Sequence, residues 1–180
     1  MKKANRIITD LILFTILVII DRITKNWADT TLKTNGPIDI IKNVVEFYYL
    51  PNGNTGAAFG MLSGHRVLFL VIAIVVVTAI GYLVFNMPTG RKYRFIEILL
   101  VFIASGGVGN MIDRVVFGTV TDFIYISYIN FPIFNVADMY VSVCTLILAV
   151  VVLFCLKESD HETLENAFKA PLKRFRKKSD

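Results

Sequence analysis

VLFLVIAIVVVTAIGYLVFN, residues 67–86, runs twenty positions without one charged side chain. At a helical rise of about 1.5 Å per residue that is about 30 Å, the thickness of a bilayer's hydrocarbon layer. Three more stretches read the same way around it, at about 6–24, 95–112 and 136–156. The apolar excess of the 180-residue chain, 55% hydrophobic and 18% charged with mean hydropathy +0.62, is concentrated in these four blocks. Soluble domains hold about 25% charged residues, so the composition excludes an ordinary cytosolic domain and a disordered chain. Cys144 and Cys155 fall inside one apolar block, which argues against a disulfide framework and a metal knuckle. The first block follows Met1-Lys2-Lys3 as a signal peptide would. It ends in Asp21-Arg22 with no small-residue cleavage pattern, so it is read as a retained helix. The expected fold is a membrane all-α bundle of four transmembrane helices with a small β element.

Direction follows from the basic residues. Thirteen of the 19 Lys and Arg lie in the N-terminal tail, the connection between blocks two and three, and the C-terminal tail. The positive-inside rule then puts both termini in the cytoplasm and the two longer connections outside. The first of these, about 26–66, contains Ile38-Asp39-Ile40-Ile41 and Val44 to Leu50, rich in β-branched and aromatic residues, before the turn residues Pro51-Asn52-Gly53-Asn54. A small extracytoplasmic sheet, a cradle on the membrane surface, is expected there. The chain thus divides into a membrane domain, 1–156, and a basic cytoplasmic tail, 157–180. Leu164, Phe168, Leu172 and Phe175 fall on about one helical face of that tail among basic residues. The pattern suits an amphipathic segment near anionic lipid, while Pro171 equally suits an interrupted, solvated tail. Because the net charge of +5 sits mostly in the tails and one loop, membrane lipid rather than nucleic acid is the expected partner.

Placed on this topology, the intramembrane polar residues gather on the outer side. Block one ends in Asp21, Arg22 and Lys25; block three ends in Gly106-Gly107-Val108-Gly109-Asn110 followed by Asp113-Arg114; block four opens with Asn135 and Asp138; Asp122 lies in the short second outer connection. A carboxylate at hydrocarbon depth costs several kcal/mol unless it is paired or functional. Asp21 with Lys25, and Asp113 beside Arg114, have cations within reach. Asp122 and Asp138 are flanked by apolar residues and have none in the neighbouring sequence. A bland reading remains for Asp138, which would favour the positive end of its helix with Asn135 as the cap.

Two apposed carboxylates also have a chemical use. They cannot both ionise at close range, so they share a proton, and one activates water while the other protonates the leaving group. His65 and His161 lie on opposite sides of the membrane, so neither a histidine metal site nor a serine triad is supported. No cofactor is expected. The competing function is a small proton-coupled transporter, which would place its charge near a span's middle.

Five motifs in order carry a resemblance: Asp21-x-x-x-Lys25, Asn54-Thr55-Gly56-Ala57-Ala58-Phe59, Gly106-x-x-Gly109-Asn110-x-x-Asp113-Arg114, Val120-x-Asp122-Phe123 and Phe134-Asn135-x-Ala137-Asp138. With them the chain resembles the lipoprotein signal peptidases (signal peptidase II), aspartic peptidases of the bacterial inner membrane. The resemblance implies a catalytic dyad of Asp122 and Asp138. It also implies that Asn54, Gly56, Asn110, Arg114 and Asn135 position substrate or order the dyad, with Asp21, Lys25 and Asp113 in support. The implied substrate is a diacylglyceryl-modified prolipoprotein, cut on the amino side of its lipidated cysteine near the outer leaflet, by an enzyme expected to act as a monomer. The first outer connection would then serve as a lid over the substrate.

Overall fold

The computed structural model describes residues 3–51, 53–56 and 65–179, with side chains through residue 171. Ala57, Ala58, Phe59 and Asn52 of the motifs above lie outside the described residues. Five long helices account for most of the chain: α1 (Lys3–Trp27), α2 (Arg66–Asn86), α3 (Arg91–Val116), α4 (Val136–Val150, prolonged by a wider turn through Val151–Cys155) and α5 (Glu158–Ser179). Each boundary has a local cause. Helix α1 passes through a wide turn, Ala28–Leu32, and stops at Gly36, whose φ of +82° an L side chain rarely adopts. Helix α2 stops where Met87 turns extended ahead of Pro88. Asn135 caps α4.

Helix α3 is central, packed against α1, α2 and α4. Half of its apolar stretch is buried, against 6% for α2 and 17% for α4. Val67, Val71, Ile74 and Val75 of α2 are accordingly bare. An apolar surface of this kind belongs against lipid, not water. Among the described residues, α2, α3 and Val136–Cys155 are long and apolar enough to cross a membrane. Helix α1 is not among these three, because Arg6, Asp10, Asp21, Arg22 and Lys25 interrupt its 25 residues.

Those charges are paired. Near one end of the bundle, Arg6 Nε meets Glu97 at 3.0 Å, and its Nη atoms donate to the Met87 and Pro88 carbonyls at 2.8 and 3.1 Å. Arg94 completes the group, donating to Glu97 at 2.9 Å and to Asp10. A buried charge in hydrocarbon survives only with such partners.

The expected sheet is present with one strand more than the sequence indicated. Strands β1 (Ile38–Ile41) and β2 (Val45–Phe47) pair antiparallel, Ile38 opposite Phe47, around a turn in which Asn43 holds φ +60°. Strand β3 (Ile124–Tyr125) comes from the connection between α3 and α4 and pairs with β2, Phe47 opposite Ile124. Two residues are too few to show a period-two pattern. The sheet is held to the C-terminal end of α1 by aromatic contacts: Trp27 lies 5.1 Å from Phe47 and 6.2 Å from Phe123, ring centre to ring centre. Phe123, Ala28 and Leu32 are buried beneath them.

Candidate active site

The ten residues singled out in the sequence divide between a cavity and an ion cluster beside it. Asn54, Gly56, Asn110, Arg114, Asp122 and Asp138 line the cavity, about 490 Å³ in volume. Asn135 sits behind them, fully buried. Asp21, Lys25 and Asp113 are also fully buried but do not line it.

Three asparagine amides organise the two cavity carboxylates, and each is oriented by a donor to its own oxygen. The Gly56 N–H donates to Asn54 Oδ1 at 2.8 Å, so Asn54 Nδ2 points to Asp122 Oδ2, also at 2.8 Å. Lys25 Nζ donates to Asn110 Oδ1 at 2.8 Å, and Asn110 Nδ2 then donates to Asp138 Oδ1 at 2.7 Å. The Asp138 N–H donates to Asn135 Oδ1 at 3.0 Å, leaving Asn135 Nδ2 to donate to Asp122 Oδ1 at 2.6 Å and to Asn110 Oδ1 at 3.2 Å. An amide with its oxygen engaged can present only N–H to a carboxylate. Asn135 therefore holds both acids, Asp122 through its side chain and Asp138 Oδ2 through its backbone N–H at 3.2 Å. This last contact completes a capping box at the start of α4. The helix-cap reading of Asp138 is thus realised, and its other oxygen still faces Asn110.

Burial, reinforced by the Asp138 carboxylate, pushes the Asp122 carboxyl up to about 6 against the pull of the Asn54 and Asn135 amides. Arg114 stands at the rim. It donates to the Gly56 carbonyl at 2.9 Å, tying the end of α3 to the segment that carries Asn54, and lies over the Phe69 ring at 4.7 Å.

The partner expected for Asp113 is different. Its carboxylate meets Arg22 at 2.5 Å and Lys25 at 2.8 Å, not the adjacent Arg114. Successive helix residues point about 100° apart and do not face one another. Lys25 also meets Asp21 at 2.9 Å, and Asp21 accepts the Ala137 N–H at 3.2 Å, which fastens α4 to α1. Gly106 and Gly109 permit the approach: a Cβ on Gly106 would strike the Ala137 carbonyl, and one on Gly109 the Asp21 carboxylate.

Sequence reasoning placed Arg22 at the end of block one without its partner, and missed Ser142 and the apolar half of the cavity, namely Phe131, Pro132, Ile133, Met139 and Val143. Ser142 follows Asp138 by one helical turn, a spacing that could have found it. The same cavity is therefore polar on one side, apolar on the other, and open to the bundle's surface.

Known proteins resemble this chain in sequence and in fold. The profile of the family described as signal peptidase (SPase) II aligns with residues 13–154. The chain belongs to the signal peptidase II family. It is 43% identical to the lipoprotein signal peptidase of Clostridium novyi (strain NT) over 145 residues, 78% of this chain and 93% of that protein. Against the lipoprotein signal peptidase of Clostridium tetani (strain Massachusetts / E88) it is 36% identical over 156 residues, 85% of this chain and 96% of the relative. A solved bacterial membrane enzyme, determined by the in meso method at 2.3 Å resolution, superposes with a TM-score of 0.70 at 31% identity, covering 83% of this chain and 92% of that one. Membership makes this chain an aspartic peptidase and a bacterial membrane protein. All five motifs fall within the matched residues, whereas α5 lies beyond them.

Proposed function

We propose that this peptidase removes the signal peptide from diacylglyceryl-modified prolipoproteins, cutting on the amino side of the lipidated cysteine, with Asp122 and Asp138 as its dyad. The observation that carries the reading is the double grip of Asn135, which joins both acids to one residue at the wall of one cavity. In the resting pair one carboxyl keeps the proton. The ionised partner draws a proton from water as the water's oxygen attacks the scissile carbonyl carbon, and the protonated one hydrogen-bonds the carbonyl oxygen. Collapse of the tetrahedral intermediate breaks the C–N bond, and the proton held by the dyad passes to the departing cysteine nitrogen. Asn54 and Asn110 keep the two acids in place, and Arg114 fixes the rim. The apolar wall of Phe131, Ile133, Met139 and Val143 suits the lipid and the apolar core of the signal peptide.

The same proposal sets the molecule in the membrane. Helices α1 to α4 all span, because the charges of α1 are paired at its two ends and leave residues 11–20 uncharged between them. Both termini are cytoplasmic, the dyad lies near the outer leaflet, residues 1–156 form the peptidase domain, and the enzyme works as a monomer. The test is cleavage of a diacylated precursor by purified full-length protein. Asp122→Asn and Asp138→Asn should each lower the rate by at least about 10³-fold with unchanged expression, since an amide cannot share a proton in this way. Rates within tenfold of the parent for either variant would remove the dyad.

A further inference from the structure

Helix α5 is outside the family match, and its second half is strongly basic: residues 169–179 hold Lys169, Lys173, Arg174, Arg176, Lys177 and Lys178 with no acidic residue. Its first half is fastened across the end of the bundle remote from the dyad. Asp160 meets Lys92 Nζ at 2.5 Å, accepts from the Tyr93 hydroxyl at 3.1 Å and from the Lys157 N–H at 2.9 Å. The Lys92 ammonium, with that backbone N–H, holds the Asp160 carboxyl down at about 2, so the clamp is charged at any physiological pH. Eight residues on, the Phe168 carbonyl accepts the Tyr82 hydroxyl at 2.5 Å, and Leu164 and Phe168 pack on the core formed by Ile80, Met87, Ile96 and Leu100.

The geometry gives α5 its direction. Lys92 and Tyr93 belong to the first turn of α3, and Tyr82 lies one turn from the end of α2. Eight helical residues cover about 12 Å, roughly one spacing between packed helices, so α5 crosses the bundle end from α3 to α2. Of the helices α1 to α4, α2 packs extensively only on α3 and shows most of its surface to lipid. Residues 169–179 therefore continue past the edge of the protein, at the level where the spans leave the bilayer. Leu164 and Phe168 pack on the bundle, and in the sequence Leu172 and Phe175 follow them at the spacing of helical turns. The helix is continuous through Pro171.

We infer that the second half of α5 is a binding surface for the anionic phospholipid headgroups of the bilayer, by virtue of the direction of the helix and of its five basic residues from Lys173 to Lys178. This placement does not depend on the peptidase reading. It requires only that the end of the bundle bearing Tyr82 and Lys92 lies at a membrane surface.

The test uses full-length protein with Cys155→Ser and Phe175→Cys, labelled at residue 175 with an environment-sensitive dye and reconstituted into nanodiscs. In discs containing about a third phosphatidylglycerol, collisional quenching of the dye by iodide should fall at least about threefold relative to phosphatidylcholine discs. The protection should vanish at about 0.5 M salt. Replacing Lys173, Arg174, Arg176, Lys177 and Lys178 by Gln should also abolish it, while precursor cleavage in detergent stays unchanged. Equal quenching in both discs, protection that survives the glutamine replacements, or equal protection by free glycerophosphate in phosphatidylcholine discs would overturn the inference.

Discussion

Asn135 has no charge and touches no solvent, yet both acids of the cavity depend on it. With Asp122 and Asp138 as the proposed dyad, which needs one proton, and burial pushing the Asp122 carboxyl up to about 6, kcat/KM should fall on the alkaline side with a midpoint near 6. The sign is that of a raised carboxyl: the proton needed by the leaving group is present below that pH and lost above it. A profile of kcat/KM flat from pH 5 to 8 would contradict the assignment. Lys25 acts through others. It bridges Asp21, Asp113 and Asn110, so Lys25→Met takes from Asp21 its nearest cation, leaves Asp113 with Arg22 alone, and frees the amide that holds Asp138. Loss of about 3–5 kcal/mol of stability is expected, seen as a lowered melting temperature in detergent, together with lowered cleavage. These residue types were legible in the sequence because polar groups in apolar blocks stand out. Their partners were not. Arg22 lies 91 positions from Asp113 in the chain, and only the packing of α1 on α3 brings them together.

At the scale of elements, long apolar runs made α2, α3 and α4 readable to within a few residues, and β-branched stretches marked β1 and β2. Strand β3 escaped because its pairing, not its sequence, defines it. The hairpin of β1 and β2 is held by its pairing with β3 and by Phe47 against Trp27 and Phe123. If it clamps substrate, Trp27→Ala should raise KM for the precursor about tenfold while leaving kcat within about threefold, measured by initial rates. An unchanged KM would take the hairpin out of binding. The crossing of α3 and α4 is equally specific. Gly106→Ala drives a methyl group into the Ala137 carbonyl, so the helices must part. A loss of about 1–3 kcal/mol is expected, read as thermal melting, with cleavage reduced because Asp138 moves with α4.

Taken whole, the described residues keep their buried charges in two groups near opposite ends of a largely uncharged bundle. One surrounds the cavity; the other joins Arg6, Asp10, Arg94 and Glu97. Their separation is why α1, with five charged residues between Arg6 and Lys25, can lie beside helices that have almost none at mid-length. The distant group has a consequence for biosynthesis. Arg6 finds its carbonyl acceptors 81 and 82 residues further along the polypeptide. While the ribosome is still making that stretch, the guanidinium at the start of the first helix lacks both of these acceptors. The N-terminal helix can close this contact only after the second helix and the loop that trails it have been made.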